Sequence, residues 1–151
     1  MKSPSKKIVI SLSIILFLGL ILGLWQRRDD YFLNKCVRLI TTRMIQFERL
    51  SQIRKEKYRF EFSADHYLIS HFNPNSQAWE PFANHYYPGG LTATPTDVEI
   101  QFIQGKIGLI KHQGKETSLK SYMILNFFHP KNKDKTRGII FLKDRSWRPL
   151  T

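Results

Sequence analysis

The residues able to do chemistry are thinly spread in this chain. Its five histidines, His66, His71, His85, His112 and His129, fall in different segments. Only His66 and His71 are near neighbours, and their spacing of five suits no common metal pair. Cys36 is the sole cysteine, which excludes an intrachain disulfide, and a lone cysteine on an amphipathic helix reads as a small buried hydrophobe. There is no glycine-rich phosphate loop, no G-x-S-x-G elbow and no H-E-x-x-H pair. Acids such as Glu61, Asp97 and Glu99 alternate with apolar residues, the pattern of a solvated strand face rather than of a paired acid and base. The sequence therefore predicts no enzyme, no cofactor, no metal and no small-molecule substrate.

Phosphate binding is the chemistry with the most residues behind it. Lys and Arg number 24 against 12 Asp and Glu, a net charge of +12. Such an excess favours anionic partners: lipid headgroups, nucleic acid or an acidic protein surface. Near the C-terminus Arg137, Lys143, Arg145 and Arg148 surround Trp147, combining cations with an aromatic as single-strand-binding surfaces do. The plainer alternative, and the favoured one, has Trp147 closing the edge of the core and the arginines solvated.

What must position these residues is organised around Ile8–Trp25, a run with no charge and only Ser11 and Ser13 as polar side chains. As a helix it is about 27 Å long, close to the roughly 30 Å hydrocarbon core of a bilayer. Lys2, Lys6 and Lys7 precede it, and Trp25-Gln26-Arg27-Arg28 closes it with an interfacial aromatic and two cations. A cleaved signal peptide ends in small residues at its cleavage point, and Leu24-Trp25-Gln26 offers none, so an uncleaved anchor is expected. The positive-inside rule is near a tie, with three lysines before the run against Arg27, Arg28, Lys35 and Arg38 soon after it. Gly19 and Gly23 form a small-xxx-small pair that would let another helix approach closely.

Asp29-Asp30 reads as a helix start. From there Leu33, Val37, Ile40, Met44 and Phe47 recur at spacings of four and three, with Cys36, Leu50 and Ile53 widening the stripe. This is an amphipathic helix from about Asp30 to Lys55, continuous with the anchor or kinked near Gln26–Asp30. Near Lys57 the period becomes two. Tyr58, Phe60 and Phe62 form a strand, and Tyr67–Phe72 returns as its hairpin partner. Residues 73–96, with four prolines and two glycines, read as one long loop. Further strands are expected at 98–102, 107–111, 122–128 and 138–143, with His129–Thr136 as a solvated, lysine-rich loop. The fold class is α+β: an N-terminal transmembrane helix continues into a long amphipathic helix packed on a single antiparallel β-sheet. The segments are a basic flank 1–7, the anchor 8–25, the amphipathic helix 26–56 and the β domain 57–151.

This layout resembles the type IV pilins and their relatives, in particular the minor pseudopilin group GspH/FimT. Local likenesses are Leu39–Arg54 followed by a strand ending in Tyr67-Leu68-Ile69, Trp79, Pro88-Gly89-Gly90-Leu91 before a strand, Ile100-Gln101-Phe102 before Gly105, and the arginine-bearing tail. Lys6–Leu12 carries neither the glycine nor the glutamate that prepilins share at the start of the apolar helix, so the likeness does not extend to prepilin processing. The resemblance implies a structural subunit of a type IV pilus, competence or type II secretion apparatus. It would sit in the inner membrane with its β domain extracytoplasmic and with other pilin-like subunits as partners. It also implies DNA as a partner, through arginines near the C-terminus. A generic single-pass accessory protein that binds another protein fits the same features.

Overall fold

One helix, α1, carries the chain from Lys6 to Arg54 without a break, 49 residues or about 74 Å. The computed structural model describes residues 6–117 and 122–150, with side chains from Ser13 onward except those of Trp25 and Gln26. Most of the basic flank 1–7 and the side chains of Ile8–Leu12 therefore lie outside the described residues. No proline or glycine interrupts α1 after Gly23, and the helix runs unbroken through Gln26–Asp30. It stops because Lys55 takes the left-handed conformation (φ 58°), which ends a helix and turns the chain into the sheet.

Among the described residues ten strands follow: β1 (Lys57–Phe62), β2 (His66–Asn73), β3 (Ala78–Tyr86), β4 (Thr92–Thr94), β5 (Val98–Ile103), β6 (Lys106–His112), β7 (Lys115–Glu116), β8 (Tyr122–His129), β9 (Asn132–Leu142) and β10 (Trp147–Leu150). They form two antiparallel sheets rather than the single sheet expected, one in the order β3-β2-β1-β5-β6-β7 and one in the order β10-β9-β8-β4. β4, which lies between β3 and β5 in sequence, pairs with β8 of the second sheet rather than with its chain neighbours. Strand periodicity tells which residues face inward, but not which strand lies alongside.

α1 lies against β1, β5 and β6 of one sheet and β8, β9 and β10 of the other. Leu33, Cys36, Val37, Ile40, Met44 and Phe47 are buried there together with the inward residues of both sheets. Phe47 meets Tyr58 and Phe60 edge-on, with ring centroids 5.0 and 5.6 Å apart. Tyr87 meets Phe127 of the second sheet in the same way at 5.2 Å, joining the two sheets. Such edge-to-face pairs add stabilisation beyond the apolar area they bury. At the end of the helix the stripe departs from its expected course. Ile53 is 77% exposed and Ser51 is buried instead. Ser51 Oγ donates to the Glu48 carbonyl at 2.7 Å and accepts from the Gly105 amide at 2.8 Å, tying the last turn of α1 to the β5–β6 turn.

Two stretches expected as loops are strands. β3 runs through the proline-rich 73–96 segment. Pro81 is tolerated because β3 is the sheet edge and Pro81 lies beside a register shift between Ile69 and Ser70. The lysine-rich 129–136 segment is a tight hairpin in which Pro130-Lys131 turns the chain and β9 begins at Asn132. Between β3 and β4, Pro88–Gly90 makes a short 3-10 turn against the helix. Gly89 has φ 68°, and a Cβ there would come within 2.5 Å of the Phe32 ring, so both backbone and packing require glycine.

Candidate functional site

The two ends of α1 have different surroundings. Its second half is covered by the β domain. Between Ile14 and Leu24, nine large apolar side chains are exposed. Successive residues turn by about 100°, so they cover every face of the helix. Gly19 and Gly23 lie among them, and a Cβ at either would meet nothing within 4 Å. Among the described residues no helix is long and apolar enough to cross a membrane. The described side chains of the apolar run are the twelve from Ser13 to Leu24, about 18 Å of helix. Ile8–Leu12 and Trp25, the rest of the run, have side chains outside them.

Asp29 and Asp30, expected to start a helix, lie inside one and hold the β8–β9 hairpin. Asn132 Nδ2 donates to Asp29 Oδ2 at 3.4 Å, and Lys135 Nζ pairs with Asp30 Oδ2 at 2.9 Å. The acid pair and the lysine run are both plain in the sequence; only their separation of about a hundred residues hid the connection.

The five tail residues do not converge on one face. Arg137 is half-buried on the helix side of β9 and lines a groove of about 250 Å³ with Asn34, Arg38, Thr41 and Leu150. Lys143 and Arg145 are exposed at the other end of β9, about 20 Å away along the strand. There they line a cleft of about 250 Å³ with Ile107–Ile110 of β6. Arg145 sits at φ 66° in the β9–β10 turn, which Asp144 organises by accepting from the Ser146 amide and hydroxyl at 3.0 and 2.6 Å. Trp147 is partly buried against the core, opposite Phe141, and lies near the Glu48 carboxylate. Arg148 pairs with Ile140 and alternation places it on the outer face, away from Trp147.

The remaining titratable groups of the described residues are scattered. Among the described residues no three His, Cys, Asp or Glu side chains are grouped to hold a metal. Burial pushes the Cys36 thiol up to about 12, which makes it a poor nucleophile. His66 contacts Asp65 at 2.6 Å and His71 contacts Glu80 at 3.3 Å, both at the surface. His85 touches Arg43 of α1, and burial, with that cation beside it, holds its pKa below the ordinary histidine value. One polar feature that the sequence conceals lies across the outer face of the first sheet. Arg59 pairs with Glu61 at 2.9 Å, approaches Glu99 at 4.0 Å and lies 4.7 Å from the Trp79 ring centroid, while Lys111 reaches Glu99 at 3.5 Å. These residues belong to four strands, and only the register brings them together.

No protein-family model, curated protein or solved structure matches the chain.

Proposed function

We propose that this chain is a single-pass, membrane-anchored structural subunit of the pilin-like kind, whose apolar helix holds it in the bilayer and packs against other such helices. The observation that carries the reading is the exposed, all-round apolar surface between Ile14 and Leu24, on a helix whose continuation is locked into a folded β domain. A helix apolar on every face is stable only when something apolar surrounds it. The whole run Ile8–Trp25 has the length of a membrane span, and cations flank it on both sides. Gly19 and Gly23 give the closest approach to a second helix. A subunit of this kind works by burying helix against helix and needs no catalytic residue. Membership of a type IV pilus, competence or type II secretion apparatus, with an extracytoplasmic β domain, is the specific form we favour. Its support is the order of a long helix followed by antiparallel sheets.

The test uses the full chain in membranes. It should stay with the bilayer on alkaline extraction, and cysteines introduced at Gly19 or Gly23 should form crosslinks to another apolar helix. Release at alkaline pH would refute the anchor. Retention with only uncrosslinked monomer would leave an anchor but refute the assembled subunit.

A further inference from the structure

The β8–β9 hairpin lies back along α1 toward its apolar end. Asn132 meets Asp29, Lys135 meets Asp30, and Arg137 lines a groove with Asn34, Arg38 and Thr41. β9 thus advances along the helix in chain order, and the Pro130-Lys131 turn before it lies level with Asp29 or nearer the apolar run. Asp29 is five residues past Leu24, about 7.5 Å along the helix axis. The polar layer of a bilayer, taken as half the difference between about 40–45 Å and about 30 Å, is roughly 5–8 Å deep on each side. With Leu24 at the edge of the hydrocarbon, the hairpin tip falls in the headgroup layer.

The tip is chemically suited to that layer. Pro130, Lys131 and Lys133 are exposed on it, and Arg27 and Arg28 are exposed on the neighbouring turn of α1. With Lys135 these make five cations against Asp29, Asp30 and Asp134, an excess of two positive charges. Two of the three acids are turned to Asn132 and Lys135, where they hold the hairpin in place. We propose that the β8–β9 tip, together with Arg27 of α1, is a contact surface for anionic lipid headgroups, and that the contacts to Asp29 and Asp30 set its height. This rests on the anchor reading above. It adds a second attachment, which fixes the tilt and rotation of the β domain over the bilayer, as interfacial cations do for membrane helices.

The experiment places the purified full chain in phosphatidylcholine vesicles with or without phosphatidylglycerol and a headgroup-located quencher lipid. A fluorophore is attached at Pro130→Cys, or at Lys106→Cys at the start of β6, beside the last turn of α1. Cys36 is buried and leaves the introduced thiol as the reactive one. The label at position 130 should be quenched strongly with phosphatidylglycerol and weakly without it, and the label at position 106 in neither. Each surface cation contributes about fivefold to association with an anionic leaflet, so Lys131→Glu with Lys133→Glu should lower quenching to the phosphatidylcholine level. As a check that requires no charge substitution, added salt should reduce quenching of the Pro130→Cys label, because the Debye length falls to about 3 Å at 1 M. Equal quenching in both lipids, equal quenching at both positions, or indifference to charge reversal and salt would overturn the proposal. So would quenching that depends on the protein-to-lipid ratio, which would mean contact between copies. If the chain leaves the vesicles at alkaline pH, the anchor fails and this surface with it; if it stays while position 130 is unquenched, only this inference fails.

Discussion

The two halves of α1 are both rich in large apolar residues, yet the β domain covers only one. From Leu33 to Phe47 the buried apolar residues occupy one stripe, with Arg38 and Thr42 exposed off it and Leu39 and Ile45 as isolated exposed apolar residues. From Ile14 to Leu24 apolar residues occupy every side, and among the described residues nothing covers them. The difference lies in the arrangement of apolar residues rather than in their number. A stripe specifies a protein partner on one side and water on the other, whereas an all-round surface calls for an apolar solvent. The same substitution should therefore do different damage in the two halves. Phe47→Asp places an unpaired carboxylate among Tyr58, Phe60 and Phe82 and should cost about 4 kcal/mol or more, enough to unfold many domains. Leu20→Asp should leave thermal melting of the β domain unchanged and weaken membrane retention, since an acid at mid-span costs about 3 kcal/mol on insertion scales. Equal melting for both variants would break the comparison.

Gly89→Ala sharpens it at the boundary between the halves. The added methyl meets the Phe32 ring and the residue must hold φ 68°, so a loss of about 1–3 kcal/mol is expected. The substitution should lower the melting temperature without changing membrane retention. A change in retention alone would place Phe32 with the anchor rather than with the core.

Legibility in the sequence follows the same division. Leu33, Val37, Ile40, Met44 and Phe47 could be read from spacing because a helix repeats every 3.6 residues and its partner covers one side. β1 and β5 could be read from alternation for the equivalent reason, β2 and β6 as their hairpin returns, and β8 from its continuous apolar run. β3 was hidden because Pro81 and its neighbours read as loop, although an edge strand tolerates proline beside a register shift. The first half of β9 was hidden because its lysines read as loop, when a strand that pairs its inner polar residues with acids on α1 and turns the others to solvent carries them equally well. The tail was misleading in the opposite sense. Arg145, Trp147 and Arg148 are close in sequence, but a turn and strand alternation send them in different directions. Asp29, Asp30, Asn132 and Lys135 were missed because their meeting depends on tertiary distance alone.

A smaller effect is expected from acid. Burial and the neighbouring Arg43 guanidinium depress the pKa of His85 in the folded state relative to the unfolded chain. The folded state then binds fewer protons below the unfolded value of about 6.5, so this contribution is complete above that pH and is lost as pH falls through the folded value. The melting temperature should fall on acidification from pH 6.5, and His85→Gln should flatten that part of the profile. An unchanged slope would mean that the proton goes elsewhere.

The smallest effects on stability are expected from the tail arginines, which meet solvent, whereas Trp147 touches the covered half of α1. Trp147→Ala removes packing against the core, and a loss of about 1–3 kcal/mol is expected. Arg145→Ala and Arg148→Ala should each stay within about 0.5 kcal/mol of the parent, since exposed cations contribute little. The same variants bear on nucleic acid. Each phosphate contact on duplex DNA contributes about 0.9 to the slope of log affinity against log salt. With Arg137, Lys143 with Arg145, and Arg148 on three different sides, a single duplex would engage one group at a time. The slope for one protein copy should then be about 1–2, fall on Arg145→Ala, and ignore Arg148→Ala. A slope near 4 that falls with each of Arg137→Ala, Arg145→Ala and Arg148→Ala would mean that the tail forms one continuous phosphate track after all. Fluorescence anisotropy over a salt series, on the full chain in nanodiscs, distinguishes the two.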